Sequence, residues 1–379
     1  MTLSDCRVLI VDDHAHNRAL LAALLEGLSI TLVEQAANGI EGLEKVARRR
    51  PDLILLDVMM PGMDGYEMCR KLRQTYSHSD LPVIFVTALD SPDERSACFA
   101  AGGTDMVAKP INGPEIASRV GVHLENRILL DRLRAFQERL SLELEAARAI
   151  QENLTPGQAE LNRVGAATGT VIQAHAETSS ELGGDFWSVR DDGDGHVVVL
   201  LADFAGHGVA PALNVIRLHT LFGRIAAAAA PHEAMVALNA ELKALLPVGQ
   251  YATALYGIFD ARRGRFSFAG AAAPPFWIVQ NGQARYIEAS GPPLGAFQDA
   301  EYETQTVEIG PDAQLFLHSD ALMESQVDGA DIADEQVLAA WLVEDAGTGS
   351  LPQALAARFH RLLPGPPPDD LTMISIGAR

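Results

Sequence analysis

The chain has 379 residues, enough for two or three domains, and its apolar fraction of 48% is ordinary for globular proteins. A formal net charge of −21 argues against nucleic acid or an anionic membrane surface as the main partner. The polar start of the chain and its three scattered cysteines predict a cytoplasmic protein with reduced thiols, no signal peptide and no membrane segment.

Four short apolar runs in the first third of the chain lead into polar residues. Since the runs alternate with helical periods, they predict the strands of a parallel, doubly wound sheet, which binds ligands beyond the carboxyl ends of its strands. We therefore expect these polar residues to meet in one pocket. The runs cover residues 8–11, 53–56, 83–86 and 106–108, and the polar residues are Asp12 and Asp13, Asp57, Thr87, and Lys109.

The residue types at these strand ends fit phosphoryl transfer. Three carboxylates can hold Mg²⁺ through oxygen atoms, and one of them can act as a nucleophile toward a phosphoryl group. A lysine supplies positive charge for the transferred group, and a threonine can donate a hydrogen bond to it. One Asp at a strand end is most often a turn former, but four polar strand ends together favour a site.

The segments VLIVDD, LLDVMMPGMDG, VTAL and AKP resemble the receiver domain of two-component response regulators. The resemblance implies that Asp57 accepts a phosphoryl group from a sensor histidine kinase or a phosphotransfer protein. It also implies that Asp12 and Asp13 hold Mg²⁺ together with Asp57, and that Thr87 and Lys109 respond to the phosphoryl group.

Two further features of the receiver pattern concern the last predicted strand. The resemblance implies a cis peptide bond between Lys109 and Pro110. Receivers commonly carry Tyr or Phe three places before the lysine, as a switch residue coupled to the threonine. This chain has Met106 there, so we expect its signal to leave through another face.

Residues 114–154 form a stretch of roughly forty residues in which no clear helix-ending signal interrupts the helical pattern. Apolar residues recur there in alternating steps of four and three, which is a heptad seam, and a second step of four after Leu140 is a stutter. Charged residues, Arg127 among them, fill most of the other faces. The seam comprises Val122, Asn126, Leu129, Leu133, Phe136 and Leu140, and the stretch continues with Leu144, Ala147, Ile150 and Leu154.

A helix of this length would span about 60 Å, too long to fold back inside one compact domain. We expect a two-stranded coiled coil over residues 119–157 that holds a homodimer and carries a signal along the chain. The alternative is a long surface helix packed on its own domain.

Strand-like runs recur after residue 157, where Gly and Pro punctuate the sequence. Strands and helices segregate there rather than alternate, which predicts an α+β sandwich of two central β-sheets flanked by helices. The runs cover residues 197–201, 254–259, 265–268, 276–279, 313–318 and 372–376, and helical periods cover 209–228, 231–245, 335–344 and 351–363.

Four acidic sites stand at predicted strand edges or turns of this region, at Asp185, Asp203, Asp320 and Asp369-Asp370. Hard carboxylate oxygens suit Mg²⁺ or Mn²⁺, whereas zinc calls for His and Cys. Two such ions ~3.5–4 Å apart can clamp a phosphate and lower the pKa of a bridging water. Any one of these aspartates could equally be a plain turn former.

The segments ELGGDFW, ADFAGHGVAPAL, ATALYGIFD, PPLGAF, FLHSDALMES and DDLTMISI resemble, in order, the SpoIIE-like branch of the metal-dependent PPM (protein phosphatase 2C-like) serine/threonine phosphatases. The resemblance implies that two Mn²⁺ or Mg²⁺ ions are bound by the side chains of four aspartates and one backbone carbonyl. It places His207 where the family has a candidate general acid for the leaving oxygen. The implied metal ligands are Asp185, Asp203, Asp320, Asp369 and the Phe204 carbonyl.

The chain departs from the family pattern at Ala202 and Ala205, where the family usually has Gly and Ser, and at Ser188 and Ala321, where it usually has Asp and Gly. None of these changes removes a direct ligand. An added methyl group can still displace a loop, so turnover could be weak. The resemblances together divide the chain into a receiver domain at 1–118, a coiled-coil linker at 119–157 and a phosphatase domain at 158–379.

Three functions remain open at this point. The leading hypothesis is a response regulator whose output dephosphorylates a phosphoserine or phosphothreonine protein, which the resemblance identifies as a STAS-type anti-sigma-factor antagonist. The second is a phosphorylation-controlled binding scaffold whose phosphatase fold has lost turnover. The third is a diguanylate cyclase, suggested by residues 183–186 (GGDF), but that turn needs a second acidic residue that this chain lacks.

Overall fold

The computed structural model describes residues 2–88, 91–206, 208–226, 229–327, 329–347, 349–363 and 365–379. The chain divides into two compact units, Met1–Ser141 and Leu142–Arg379.

The first unit is built on a five-stranded parallel sheet of order β2-β1-β3-β4-β5. The predicted doubly wound sheet is therefore confirmed, with hydrophobic clusters on both of its faces. Its strands are β1 Arg7–Val11, β2 Leu32–Ala36, β3 Leu53–Leu56, β4 Val83–Thr87 and β5 Asp105–Ala108, and its helices are α1 Ala15–Gly27, α2 Gly39–Arg48, α3 Gly65–Arg73, α4 Pro92–Ala100 and the start of α5.

The sequence pattern missed β2. This strand lies at the edge of the sheet and carries two polar residues among its five, so it lacks the continuous apolar run of the inner strands. The inner strands β3 and β4 are buried at every position.

Helix α5, Gly113–Glu152, is a single helix of 40 residues, as the sequence predicted. Its first turns pack Ile116, Val120, Leu124 and Ile128 into the core of the first unit. Arg127, one of the charged residues outside the seam, is buried on the same side of the helix and pairs with Asp131.

The predicted heptad seam of α5 lies on the opposite side and is open to solvent. The exposed fractions there are 53% for Val122, 59% for Leu129, 53% for Leu133, 63% for Phe136 and 44% for Leu140. Beyond Val122, four apolar side chains at seam spacing thus remain largely exposed among the described residues of the first unit.

The second unit contains two five-stranded antiparallel sheets, of order β13-β10-β9-β8-β7 and β12-β11-β14-β17-β6. Its strands are β6 Thr170–Glu177, β7 Asp185–Asp191, β8 Val197–Phe204, β9 Ala252–Asp260, β10 Arg265–Ala271, β11 Phe276–Gln280, β12 Gln283–Ile287, β13 Gln305–Glu308, β14 Gln314–His318, β15 Gln326–Val327, β16 Ala330–Asp331 and β17 Leu371–Ala378. Its helices, after the end of α5, are α6 Gln158–Thr168, α7 Val209–Arg224, α8 Pro231–Leu245, α9 Ala321–Glu324, α10 Glu335–Asp345 and α11 Leu351–Leu362.

Three hydrophobic clusters define the layers of this unit. One cluster lies between the two sheets and joins residues of both. A second packs α7 and α8 on the outer face of the first sheet, and a third packs α10 and α11 on the outer face of the second sheet. The predicted α+β sandwich with flanking helices is therefore confirmed.

The sequence pattern missed the elements at the start of this unit. The sequence pattern gave no element before the run at 197–201, whereas the structure has helix α6 and strands β6 and β7 there. Strand β6 lies at a sheet edge and is only partly buried over its last five residues, which explains why its apolar pattern is weak.

Among the described residues, no helix combines the length and the apolar character needed to cross a bilayer. The three cysteines, Cys6, Cys69 and Cys98, are buried and unpaired.

Candidate phosphoacceptor and metal sites

The polar residues of the first unit meet at the carboxyl ends of its strands. Asp12 and Asp57 follow β1 and β3, Thr87 ends β4, and Lys109 follows β5. Potential ligand atoms of Asp12, Asp13, His14 and Asp57 all lie within 4.8 Å of one another. The three carboxylates expected around Mg²⁺ are therefore together, and their oxygen donors fit a hard divalent ion.

Lys109 crosses this pocket. Its Nζ donates hydrogen bonds to Asp12 Oδ2 at 2.9 Å and to Asp57 Oδ2 at 2.7 Å. Burial raises the pKa of Asp57, although the hydrogen bond from Lys109 acts in the opposite direction. Burial works against the charge of Lys109, but its two carboxylate partners outweigh this and raise its pKa. Thr87 is fully buried.

Two residues that hydrogen-bond to the Asp12 carboxylate were not predicted from the sequence. The backbone N–H of His14 donates to Asp12 Oδ1 at 2.8 Å, and Asn17 Nδ2 donates to Asp12 Oδ2 at 3.0 Å. Both lie within five residues of Asp12 at the start of α1, which orients this carboxylate locally. The expected cis bond between Lys109 and Pro110 is present, and Met106 is buried at the predicted switch position.

The four aspartates of the second unit come from the same end of both sheets. Asp185 opens β7 and lies directly opposite Asp203 of β8 in the antiparallel ladder. Asp320 follows β14, and Asp369 stands two residues before β17, the strand paired with β14. The sandwich thus brings together residues separated by up to 184 positions (369 minus 185) along the chain.

These carboxylates act on one another electrostatically. Burial raises the pKa of Asp203 to about 7, with further contributions from Asp320 and Asp369. Burial and then Asp369 raise the pKa of Asp320 to about 6. Asp185 has a pKa well above its usual range because of burial and the charge of Asp203. Crowded, partly desolvated carboxylates of this kind are stabilised by a bound cation.

Asp370, the neighbour of the predicted ligand Asp369, has a structural role at this site. Its buried carboxylate accepts hydrogen bonds from the backbone N–H groups of Ser179 at 2.7 Å, Gly184 at 2.5 Å and Asp185 at 3.3 Å. It thereby fixes the loop that leads into β7. In the sequence pattern, Asp369 and Asp370 form one acidic site, and the pattern does not separate these two roles.

Thr372 and Ser319 connect the strands that carry the aspartates. Thr372 Oγ1 donates a hydrogen bond of 2.5 Å to Asp185 Oδ2, which links the two sheets. Ser319 Oγ donates to the Asp370 carbonyl at 2.8 Å and accepts from the Thr372 N–H at 2.9 Å. Residues of the DDLT and HSD segments therefore orient the strand ends that carry the aspartates, in addition to supplying two of these aspartates.

Gly184 makes room beside the predicted carbonyl ligand. A Cβ atom on Gly184 would lie 3.0 Å from the Phe204 carbonyl oxygen and 3.4 Å from Asp203 Oδ1. A glycine therefore leaves these two oxygen atoms accessible. Carboxylate and carbonyl oxygens are hard donors of the kind that Mg²⁺ and Mn²⁺ prefer.

The departures from the family pattern at Ala202 and Ala321 are accommodated in the core. Ala202 is buried in the cluster under α7 and α8, and Ala321 in the cluster under α10 and α11. Ala205 is exposed, and Ser188 lies partly buried on β7. The predicted general acid, His207, lies outside the described residues.

The last turns of α5 reach this site. Gln151 is buried, and its side-chain amide donates to the Gly183 carbonyl at 2.6 Å while its Oε1 accepts from the Gly183 N–H at 3.1 Å. Its neighbour Ile150, which continues the apolar pattern of the helix, is 59% exposed. The helix therefore contacts the loop before Asp185 through the polar residue Gln151, and a pattern of apolar residues cannot reveal such a contact.

Comparison with known protein families agrees with this geometry. The family model of the response regulator receiver domain matches residues 8–121, and the model of stage II sporulation protein E (SpoIIE) matches residues 193–379. The chain joins a receiver domain to a SpoIIE domain. The recognition of both families from sequence is thus confirmed, and families of both kinds generally use divalent metal ions.

Individual relatives cover one part each. The response regulator MprA of Mycobacterium leprae is 47% identical over 116 residues, which are 30% of this chain and 49% of that protein. The response regulator PleD of Caulobacter vibrioides is 40% identical over 128 residues, 34% of this chain and 28% of that protein. The chain thus spans at most about half of these relatives.

The second unit has a solved structural counterpart. The SiaA-PP2C domain of Pseudomonas aeruginosa aligns with a TM-score of 0.55 and 21% identity, over 64% of this chain and 98% of that domain. At this identity the comparison establishes the PP2C-like fold.

Proposed function

We propose that this chain is a response regulator whose output is the metal-dependent dephosphorylation of a phosphoserine or phosphothreonine protein. The observation that carries the proposal is the placement of Asp185, Asp203, Asp320 and Asp369 at one end of the sandwich, where the charges of neighbouring aspartates add to burial in raising the pKa values of Asp185, Asp203 and Asp320. All four predicted carboxylate ligands are retained, which favours a working metal centre over a decayed one.

In this proposal the four aspartates and the Phe204 carbonyl hold two Mn²⁺ or Mg²⁺ ions. Bound ions would supply a nucleophilic water and stabilise the charge that develops on the phosphoryl oxygens. Asp370 and Thr372 orient the ligand-bearing loop. His207 would protonate the leaving oxygen of the substrate side chain.

The proposed control is phosphorylation of Asp57 by a sensor histidine kinase or a phosphotransfer protein. Helix α5 begins in the receiver unit and ends at Gln151 and Glu152, in the unit that carries the aspartates. The hydrogen bonds between Gln151 and Gly183 connect this helix directly to the loop that leads to Asp185. A shift of the helix would therefore change the position of one metal ligand.

The proposed assembly is a homodimer through residues 119–157. The exposed seam from Val122 to Leu140 has the spacing of a two-stranded coiled coil, with Asn126 at one seam position. A second copy of the chain is the occupant that such a self-complementary apolar face fits best.

The proposed substrate is a phosphorylated STAS-type anti-sigma-factor antagonist in a partner-switching pathway. This part rests on the family resemblance of the second unit. It is tested by offering the purified chain two phosphoserine substrates in parallel, a phosphorylated antagonist protein and an unrelated phosphopeptide. The expected result is a much higher kcat/KM for the antagonist.

The enzymatic proposal is tested with the full chain and Mn²⁺, with p-nitrophenyl phosphate and a phosphoserine protein as substrates. Asp203→Asn should abolish hydrolysis, a larger loss than the ~10–100-fold typical of groups that only support a metal ligand. A matched control is Asp191→Asn, at the far end of β7. If wild type and Asp203→Asn are equally inert with Mn²⁺ and with Mg²⁺, the binding-scaffold hypothesis replaces the enzymatic one.

A further inference from the structure

A third group of potential metal ligands lies apart from both aspartate sites. His175 and Glu177 belong to β6, and His360 belongs to α11. Residues two apart on a strand project from the same face, so both β6 side chains face the helix. Gln353, two helical turns before His360, also faces β6, since its Nε2 donates to the Ala174 carbonyl at 2.9 Å.

The three side chains converge on one point. His360 Nε2 lies 2.7 Å from Glu177 Oε2, and His175 Nε2 lies 3.6 Å from the same oxygen. All three potential ligand atoms lie within 4.8 Å of one another. Ligands bound tetrahedrally to zinc at ~2.0–2.2 Å stand roughly 3.3–3.6 Å apart, so small side-chain rotations suffice to enclose an ion.

One potential ligand atom lacks a hydrogen-bond partner among the described residues. His175 Nε2 is buried, and in the described part of the chain no group forms a hydrogen bond with it. A buried polar atom without a hydrogen bond costs free energy, which a bound ion would remove. The side chains are otherwise 27–33% exposed, so an ion could enter from solvent and keep a water ligand.

We propose that His175, Glu177 and His360 form a zinc site. Two imidazoles and one carboxylate are the ligand set of zinc sites that keep a fourth position for water. Imidazole nitrogen favours zinc over Mg²⁺ and Mn²⁺, so this site differs in ion preference from the all-oxygen aspartate centre.

The position of the zinc site, between β6 and α11, suggests that a bound ion would stabilise the packing of these two elements. Strand β6 lies at the edge of its sheet, where β17 is its paired strand, and a zinc ion would add a further link between β6 and α11. Glu177 is paired with Leu371, which follows Asp370, the residue that fixes the loop before Asp185. Zinc binding should therefore stabilise the unit and rigidify the strand next to the aspartate centre.

The test uses the full, untagged chain, stripped of metal and titrated with Zn²⁺ alone in competition with a chromophoric chelator. The same titration is run on His360→Asn, Glu177→Gln and His175→Asn. Wild type should bind one more equivalent of zinc than each variant, and zinc should raise the unfolding temperature of wild type alone. The variants should match wild type in metal-free unfolding temperature, which shows that they fold.

Two controls locate the zinc. His232→Asn removes an exposed histidine that bonds Thr304, and Asp203→Asn alters the aspartate centre; both should keep the extra equivalent. The proposal is overturned if wild type and His360→Asn bind the same number of zinc ions, or if zinc stabilises both equally. Loss of the equivalent in Asp203→Asn but not in His360→Asn would assign it to the aspartate centre and likewise overturn the proposal.

Discussion

The side-chain amide of Gln151 forms two hydrogen bonds with the backbone of Gly183, one through each of its polar atoms. A glutamine amide can do this because it carries a donor and an acceptor side by side. The loop around Gly183 is tightly packed, since a Cβ atom on Gly183 would lie 2.7 Å from Asp370 Oδ2. The end of a long helix is thereby fixed to the loop that leads to Asp185.

Replacement of Gln151 by Ala or Glu should impair the aspartate centre. Ala leaves both Gly183 groups without this partner, and Glu places a carboxylate against the Gly183 carbonyl. A misplacement of ~1 Å in a catalytic site can cost about 100-fold in rate. We expect kcat to fall at least tenfold and more Mn²⁺ to be required for half-maximal rate, as measured by initial rates over a range of Mn²⁺ concentrations.

The matched control is Asn153→Ala, two residues further along, whose side chain caps only the Ala149 carbonyl. It should leave both the rate and the Mn²⁺ requirement unchanged. Wild-type behaviour of both Gln151 variants would show that the helix end does not position the loop.

The metal-free chain should lose stability as the pH rises. Asp203 and Asp320 have folded-state pKa values of about 7 and about 6, above the value of 3.8 for a free Asp. A raised folded-state pKa means that the folded protein binds protons more tightly than the unfolded chain. The contribution of these two carboxyl groups to the free energy of unfolding is therefore fully present below about pH 4 and is lost as the pH rises to about 7. From pH 5 to 7 we expect a loss of about 4 kcal/mol and about 10 °C in Tm.

Thermal unfolding in the presence of a chelator measures this dependence. Asp203→Asn should flatten the decline, because an amide does not titrate, and excess Mn²⁺ should restore wild-type stability at pH 7. A chelated wild type that becomes more stable between pH 5 and pH 7 in the unfolding transition of this unit would contradict the raised pKa values.

Charges placed in the seam of α5 should dissociate the proposed dimer. In the double variant Leu133→Glu and Phe136→Glu, two like charges from each chain would meet inside the coiled coil. Sedimentation velocity should then give a monomer, compared with a dimer for wild type. Leu142→Glu is a matched control, because Leu142 is 65% exposed but lies outside the seam, and it should remain dimeric. A monomeric wild type would refute the dimer outright.

The phosphatase rate should respond to the state of Asp57. Beryllofluoride, which mimics a phosphoryl group on an aspartate, should change both the rate and the oligomeric state of wild type and neither property of Asp57→Asn. Asp93→Asn, at the start of α4, is the control and should respond like wild type. An unchanged rate and assembly in wild type would remove Asp57 from the control of the output.

Deletion of four residues around the stutter between Leu140 and Leu144 tests the role of the helix in this response. It removes about one helical turn and rotates the two ends of α5 by roughly 40° relative to each other. Basal rate and stability of the units should persist, whereas the response to beryllofluoride should disappear. Full retention of that response would mean that α5 is only a tether.

The sequence by itself determined the fold class of both units, and it marked the aspartates that we propose as phosphoacceptor and metal ligands. Apolar runs such as 53–56 end at reactive residues, and the parallel order of strands brings such ends to one edge without further information. The heptad spacing of α5 was also readable, because side-chain spacing on a helix follows directly from its pitch. Edge strands such as β2 and β6 were missed because they lack a continuous apolar pattern.

Only the tertiary structure decided which polar residues support the aspartates. Asp370, Thr372 and Gln151 act through partners up to 191 positions away, such as Ser179 for Asp370, and no local pattern encodes such pairings. The same holds for His175, Glu177 and His360, which come together only when α11 packs on β6. Hydrogen bonds and ligand sets depend on distances of a few tenths of an ångström, and the packing of distant elements sets those distances.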